Sequence, residues 1–114
     1  MITLKDSNVT INVRELDKSI SFYEILGLKL VNRWGNFYAQ MTGGGMKVGL
    51  HPSENLPGNS GGVSIGFITD NLADAKSALT SASVSVSERS EEGGDFLHFK
   101  DPDGTELYFI KPRW

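Results

Sequence analysis

One change of hydrophobic period occurs twice in this chain, and that repeat narrows the folds open to it. "NVTINV", Asn8 to Val13, alternates polar and apolar residues, which reads as a strand with one covered face. Val9, Ile11 and Val13 form its apolar face; Asn8, Thr10 and Asn12 form the other. "ELDKSISFYEILG" then takes the helical period, with Leu16, Ile20, Tyr23 and Leu26 on one stripe and Gly27 suited to the helix end. Three short strands follow, "LKLVNRW", "NFYAQM" and "MKVGLH", with turns at Gly35 and Asn36 and at Gly43 to Gly45. In the second half "GVSIGFITDNLADAKSALTSA" reads as strand then helix, with Leu72, Ala75, Leu79 and Ala82 on its stripe. "VSVSE", "DFLHFK" and "ELYFIK" supply three more strands. Leu16 and Leu72 lie 56 positions apart, and the same shift sets Leu28 on Val84 and Leu30 on Val86.

Few residues are identical across the halves; the matching order of elements carries the repeat. It predicts an α+β chain of two βαβββ modules, at about 1–52 and 62–114, within a single domain of 114 residues. "PSENLPGNSGG", residues 52–62, is the connector, with two prolines and three glycines. Each module would be a small sheet with one helix against one face, which leaves the other face in need of a partner. Two such uncovered faces can enclose a cleft.

A formal net charge of −3 and no basic cluster with interleaved aromatics argue against nucleic acid as a partner. No apolar run approaches the roughly 20 residues needed to cross a bilayer, so no membrane partner is expected. "MITLKDSNVTINV" has neither the basic segment nor the apolar core of a signal peptide. With no cysteine there is no disulfide framework and no thiolate chemistry, which is compatible with a cytoplasmic location.

The stretches "NVRELDKSISFYEILGLKLV" and "FKDPDGTELYFI", a half-chain apart, resemble the vicinal oxygen chelate superfamily of glyoxalase I, bleomycin- and fosfomycin-resistance proteins and extradiol dioxygenases. The resemblance spans nearly the whole chain. In the second stretch Pro102 presets the second turn position and Gly104 suits the fourth. It implies a cleft lined by the paired modules. In metal-dependent members, His, Gln or Glu residues from the first and last strands of each module hold one divalent ion. Carried over position by position, those places are Asn8, Gly49, Ser64 and Tyr108 in this chain.

None of the four is a good ligand for a catalytic divalent ion, which is usually held by at least three imidazole or carboxylate groups. Amide and hydroxyl oxygens bring no charge, a phenol ionises only near a pKa of about 10, and glycine has no side chain. Strand phase leaves His51, His98 and Glu106 as a conceivable rearranged triad, although they come from three separate strands. His51 precedes Pro52 and reads first as a solvated strand end; His98 reads first as a cavity-wall residue. The expected ligand-binding residues are Asn8, Thr10, Asn12, Tyr38, Gln40, Ser64, Phe96, His98 and Tyr108, with no metal and no other cofactor. Aromatics beside amides suit a planar or amphipathic organic molecule, though Phe96 and Tyr108 read equally as filling of a collapsed cavity. The resemblance to bleomycin-resistance members then implies a metal-free protein that binds an organic ligand or antibiotic in the inter-module cleft, as a homodimer. Two alternatives stay open: a metal-dependent lyase, isomerase or dioxygenase with unusual ligands, and a metal-free enzyme using His98 or Tyr108 as acid or base.

Overall fold

The structure, a computed structural model, describes residues 1, 3, 6–54, 56 and 64–113. The chain divides into two compact units, Met1–Leu56 and Pro57–Trp114. The first holds β1 (Val9–Val13), α1 (Leu16–Ile25), β2 (Lys29–Trp34), β3 (Tyr38–Gly43) and β4 (Met46–Pro52), with sheet order β1-β4-β3-β2. The second holds β5 (Ile65–Ile68), α2 (Leu72–Ser81), β6 (Ser87–Glu91), β7 (Gly94–Lys100) and β8 (Glu106–Pro112), with sheet order β5-β8-β7-β6. In each sheet the first strand lies parallel to the last, and the remaining neighbours are antiparallel. The order strand, helix and three strands thus occurs twice, as the sequence predicts.

Period two places the cores. Ile11, Val13, Ala39, Met41, Val48 and Leu50 are buried on the face that meets α1, with Leu16, Ile20 and Tyr23 opposite them. Leu97, Phe99, Leu107 and Phe109 do the same under α2, where Leu79 is the buried helix residue. The Phe109 ring stands 5.6 Å from Phe67 and 5.7 Å from Phe99, so an aromatic cluster packs beside the leucines of this core.

Both helices end in the same device. Leu28 N–H donates to the Tyr23 carbonyl and Gly27 N–H to that of Glu24; Val84 donates to Leu79 and Ser83 to Thr80 in the same pattern. This is the Schellman arrangement, which needs a left-handed residue just past the helix. Gly27 supplies it at φ 100° and Ser83 at φ 62°. That turn corrects the strand expected at "VSVSE". Val84 is still tied back to α2, and pairing with β7 starts only at Ser87 opposite His98. Two smaller corrections concern ends: β1 begins at Val9, one residue after Asn8, and Leu26 caps α1 rather than extending its buried stripe. Pro52, expected to open the connector, still belongs to β4, and most of the 52–62 stretch lies outside the described residues, as does Trp114.

The turn into β8 is held by a buried side chain. Asp101 Oδ1 accepts from the N–H groups of Asp103 and Thr105, both at 2.9 Å, while Gly104 N–H donates to the Asp101 carbonyl at 3.1 Å. Asp101 N–H donates in turn to the Thr105 carbonyl at 3.0 Å, so the entry to β8 is closed from both sides. On the first unit Arg33 ties the 35–37 turn to α1: it donates to the Gly35 carbonyl at 2.8 Å, to Asn36 Oδ1 at 2.9 Å and to Asp17 Oδ1 at 2.6 Å. No helix among the described residues is long and apolar enough to cross a membrane.

Candidate functional site

Each sheet has a second face, turned away from its helix, and the candidate residues sit there. In the first unit Thr10, Gly49, Gln40 and Asn32 follow one another across β1, β4, β3 and β2 in a single row. Gly49 makes this row unusual. A Cβ added there would fall on the Tyr38 hydroxyl and crowd Thr10 Oγ1, so the Tyr38 side chain lies across the glycine. Its hydroxyl meets Thr10 Oγ1 at 3.0 Å, and Asn8 Nδ2 donates to both of those oxygens at 3.2 Å. Asn8, Thr10 and Tyr38 are thereby brought together from β3 and the two ends of one short stretch. Asn12 pairs across to His51, with Oδ1 3.4 Å from His51 Nδ1. Gln40 shares the face but none of these bonds. Trp34, opposite Tyr38 in the ladder, has its ring 5.7 Å from it.

The second unit also lays a tyrosine over a glycine, but from a different strand. Thr10 and Gly49 are parallel partners in the first sheet; Gly66 and Tyr108 are the corresponding partners in the second. Here the glycine is on the first strand and the tyrosine on the last, and a Cβ at Gly66 would fall on the Tyr108 ring. Phe96, His98 and Tyr108 form one aromatic patch: Phe96 and His98 stack at 5.7 Å with 16° between planes, and Tyr108 stands 5.9 Å from Phe96 and 5.7 Å from His98. Leu97, Phe99 and Leu107 are buried, so the alternation predicted for β7 and β8 has the right phase. Ser64 stands just ahead of β5, exposed, and takes part in none of these hydrogen bonds or ring contacts.

The electrostatics of the first face are mild. Lys47, two residues before Gly49, is ion-paired with Asp6. The hydrogen bond from Lys47, with a further one from Ser7 N–H, holds the Asp6 carboxyl below its ordinary pKa.

A divalent ion does not fit the side chains at the four positions that the resemblance assigns to a metal, Asn8, Gly49, Ser64 and Tyr108. At Gly49 the space a ligand side chain would need is filled by the Tyr38 hydroxyl. Asn8 turns its amide N–H groups, which cannot ligate, toward Thr10 and Tyr38. Tyr108 is packed over Gly66, and Ser64 offers a neutral hydroxyl. As for a rearranged triad of His51, His98 and Glu106, no group of three or more His, Cys, Asp or Glu side chains among the described residues is placed to hold a metal ion.

The model of the Glyoxalase/Bleomycin resistance protein/Dioxygenase superfamily matches residues 7–109. The chain belongs to this superfamily. Solved structures agree on the fold. A bleomycin-binding protein complexed with bleomycin is 22% identical, with a TM-score of 0.74 over 96% of this chain and 100% of that one. A glyoxylase/bleomycin resistance protein/dioxygenase domain from Frankia sp. is 24% identical, with a TM-score of 0.78 over 98% and 100%. A genomically encoded fosfomycin resistance protein from Listeria monocytogenes is 16% identical, with a TM-score of 0.83 over 96% and 94%. No curated protein sequence matches significantly. For this superfamily member, sequence alternation located both faces. It missed the two glycines beneath the tyrosines, because a glycine in a strand names no partner by itself.

Proposed function

We propose that this chain is a small-molecule-binding protein of the glyoxalase/bleomycin-resistance type. It holds an organic ligand on the helix-free faces of its sheets, without the divalent ion of metal-dependent relatives. One observation carries the reading: Tyr108, His98 and Phe96 form a continuous aromatic surface on one face of β7 and β8, with Gly66 clearing the space for Tyr108. Aromatic faces beside a few hydrogen-bonding groups are the usual walls of a site for a planar or amphipathic molecule. The similar protein in complex with bleomycin supports this reading. The donor chemistry at Asn8, Gly49, Ser64 and Tyr108 supports binding without a metal. A homodimer is part of the same proposal. Val31, Trp34 and Phe37 are large apolar side chains left exposed in the single chain, Phe37 by 80%.

The test is a ligand screen followed by two variants. Tyr108→Ala should weaken binding of a screened ligand by about 1 kcal/mol or more while the chain stays folded, as expected for losing an aromatic contact with its hydroxyl. Leu107→Ala should cost about 2–5 kcal/mol of folding stability, because that side chain is buried beneath α2. Native-like affinity in Tyr108→Ala ends the proposal.

A further inference from the structure

The hydrogen-bond count around Tyr38 defines the chemistry of a subsite, given the binding reading above. The Asn8 amide nitrogen stands 3.2 Å from both Thr10 Oγ1 and Tyr38 Oη and donates toward the pair. One hydroxyl proton is spent in the bond between Thr10 and Tyr38. What is left over is one hydroxyl proton of that pair and the Asn8 Oδ1 lone pairs, neither with a partner among the described residues. The Tyr38 and Thr10 hydroxyls lie over Gly49, where the absent side chain gives the Tyr38 hydroxyl its place, and the Asn8 amide adjoins both.

This patch has no charge to offer. The helix-free face of β1, β3 and β4 carries no carboxylate side chain, and its Lys47 is ion-paired with Asp6. An ion placed here would lose hydration without gaining a counter-charge. A neutral group with a donor and an acceptor side by side would exchange two hydrogen bonds to water for two to the protein. We propose that Asn8, Thr10 and Tyr38 form a subsite for an uncharged group that donates and accepts hydrogen bonds together, a carboxamide being the simplest. In this chain Tyr38 has thus turned one of the family's metal positions into a neutral recognition site.

Benzamide, benzoate and benzamidinium share one shape and differ in charge, so they separate the possibilities. Each is titrated into the isotope-labelled full chain, followed through the Asn8 side-chain amide and the Thr10 backbone amide by NMR. Benzamide should shift both resonances saturably, with a dissociation constant at least about tenfold below those of the two ions, the scale of one matched hydrogen bond. Tyr38→Phe, which keeps the ring, should weaken benzamide about tenfold. Asn8→Asp, which introduces a carboxylate, should reverse the preference toward benzamidinium. Equal or tighter binding of either ion by the native chain overturns the proposal, as does an Asn8→Asp chain that still prefers benzamide. If benzamide shifts only Phe96, His98 and Tyr108, the subsite is wrong while small-molecule binding at the aromatic face stands. If benzamide saturates Asn8 and Thr10 but Tyr108→Ala leaves the screened ligand's affinity unchanged, the subsite stands and the broader reading fails.

Discussion

Ser83 shows what one residue can cost where the backbone demands a particular conformation. Its φ of 62° lies in the left-handed region, where an L side chain crowds the following carbonyl. The corresponding position after α1 is Gly27, which takes φ 100° freely. Both make the same closing bonds, so the difference lies in the side chain and not in the hydrogen bonding. Ser83→Gly should therefore stabilise the chain, by roughly 0.5–1 kcal/mol after the glycine's larger unfolded-state entropy is allowed for. Urea denaturation at constant m reads this directly, and a loss of stability would mean that Ser83 makes a compensating contact.

At the level of elements, each helix has one well-made end and one poorer one, and the two modules differ in which. The Asn71 side chain accepts from Asp74 N–H at 3.0 Å at the start of α2, and its own amide donates to Asp74 Oδ2 at 2.8 Å. Glu15 occupies the matching place before α1 and makes no side-chain cap. The first helix is thus secured by glycine at its C-terminus and the second by asparagine at its N-terminus. Asn71→Ala should cost about 1 kcal/mol, while Glu15→Ala should cost clearly less, since no cap is lost there. Thermal or chemical melts of the two variants side by side check the contrast. Equal losses would show that helix ends in this fold are held by packing alone.

For the molecule as a whole, the expectations concern assembly and ions. Two sheets, each with one face bare of helix, and exposed Val31, Trp34 and Phe37 are the reasons to expect a homodimer. Sedimentation at micromolar concentration should give twice the mass of the chain; a monomer there would count against it. Divalent ions should bring no saturable rise in thermal stability. An ion at 100 times its dissociation constant adds about 2.7 kcal/mol by mass action, and the neutral groups at Asn8, Gly49, Ser64 and Tyr108 give no reason to expect such an increment. One-to-one saturation with zinc, nickel, manganese or iron in the micromolar range would overturn this.

The alternation in "NVTINV", "DFLHFK" and "ELYFIK" set most of the side chains that enter the cores, because period two is a property of each strand alone; Val9 stays exposed at the start of β1, and Ile110 is buried on the Tyr108 side of β8. Leu107 buried beside an outward Tyr108 follows from the letters. "VSVSE" misled for the same reason: its alternation is real, but a helix-closing turn claims Val84 before any ladder can. Nor could local pattern say that Tyr38 lies over Gly49, or Tyr108 over Gly66. Those contacts depend on the register between strands far apart in the chain, where a slip of one residue would turn every side chain to the other face. The sequence by itself thus determined the modules and the phase of most of their strands. Only the tertiary structure decided that the Tyr38 phenol lies over Gly49, because that contact exists only once β3, β4 and β1 are aligned.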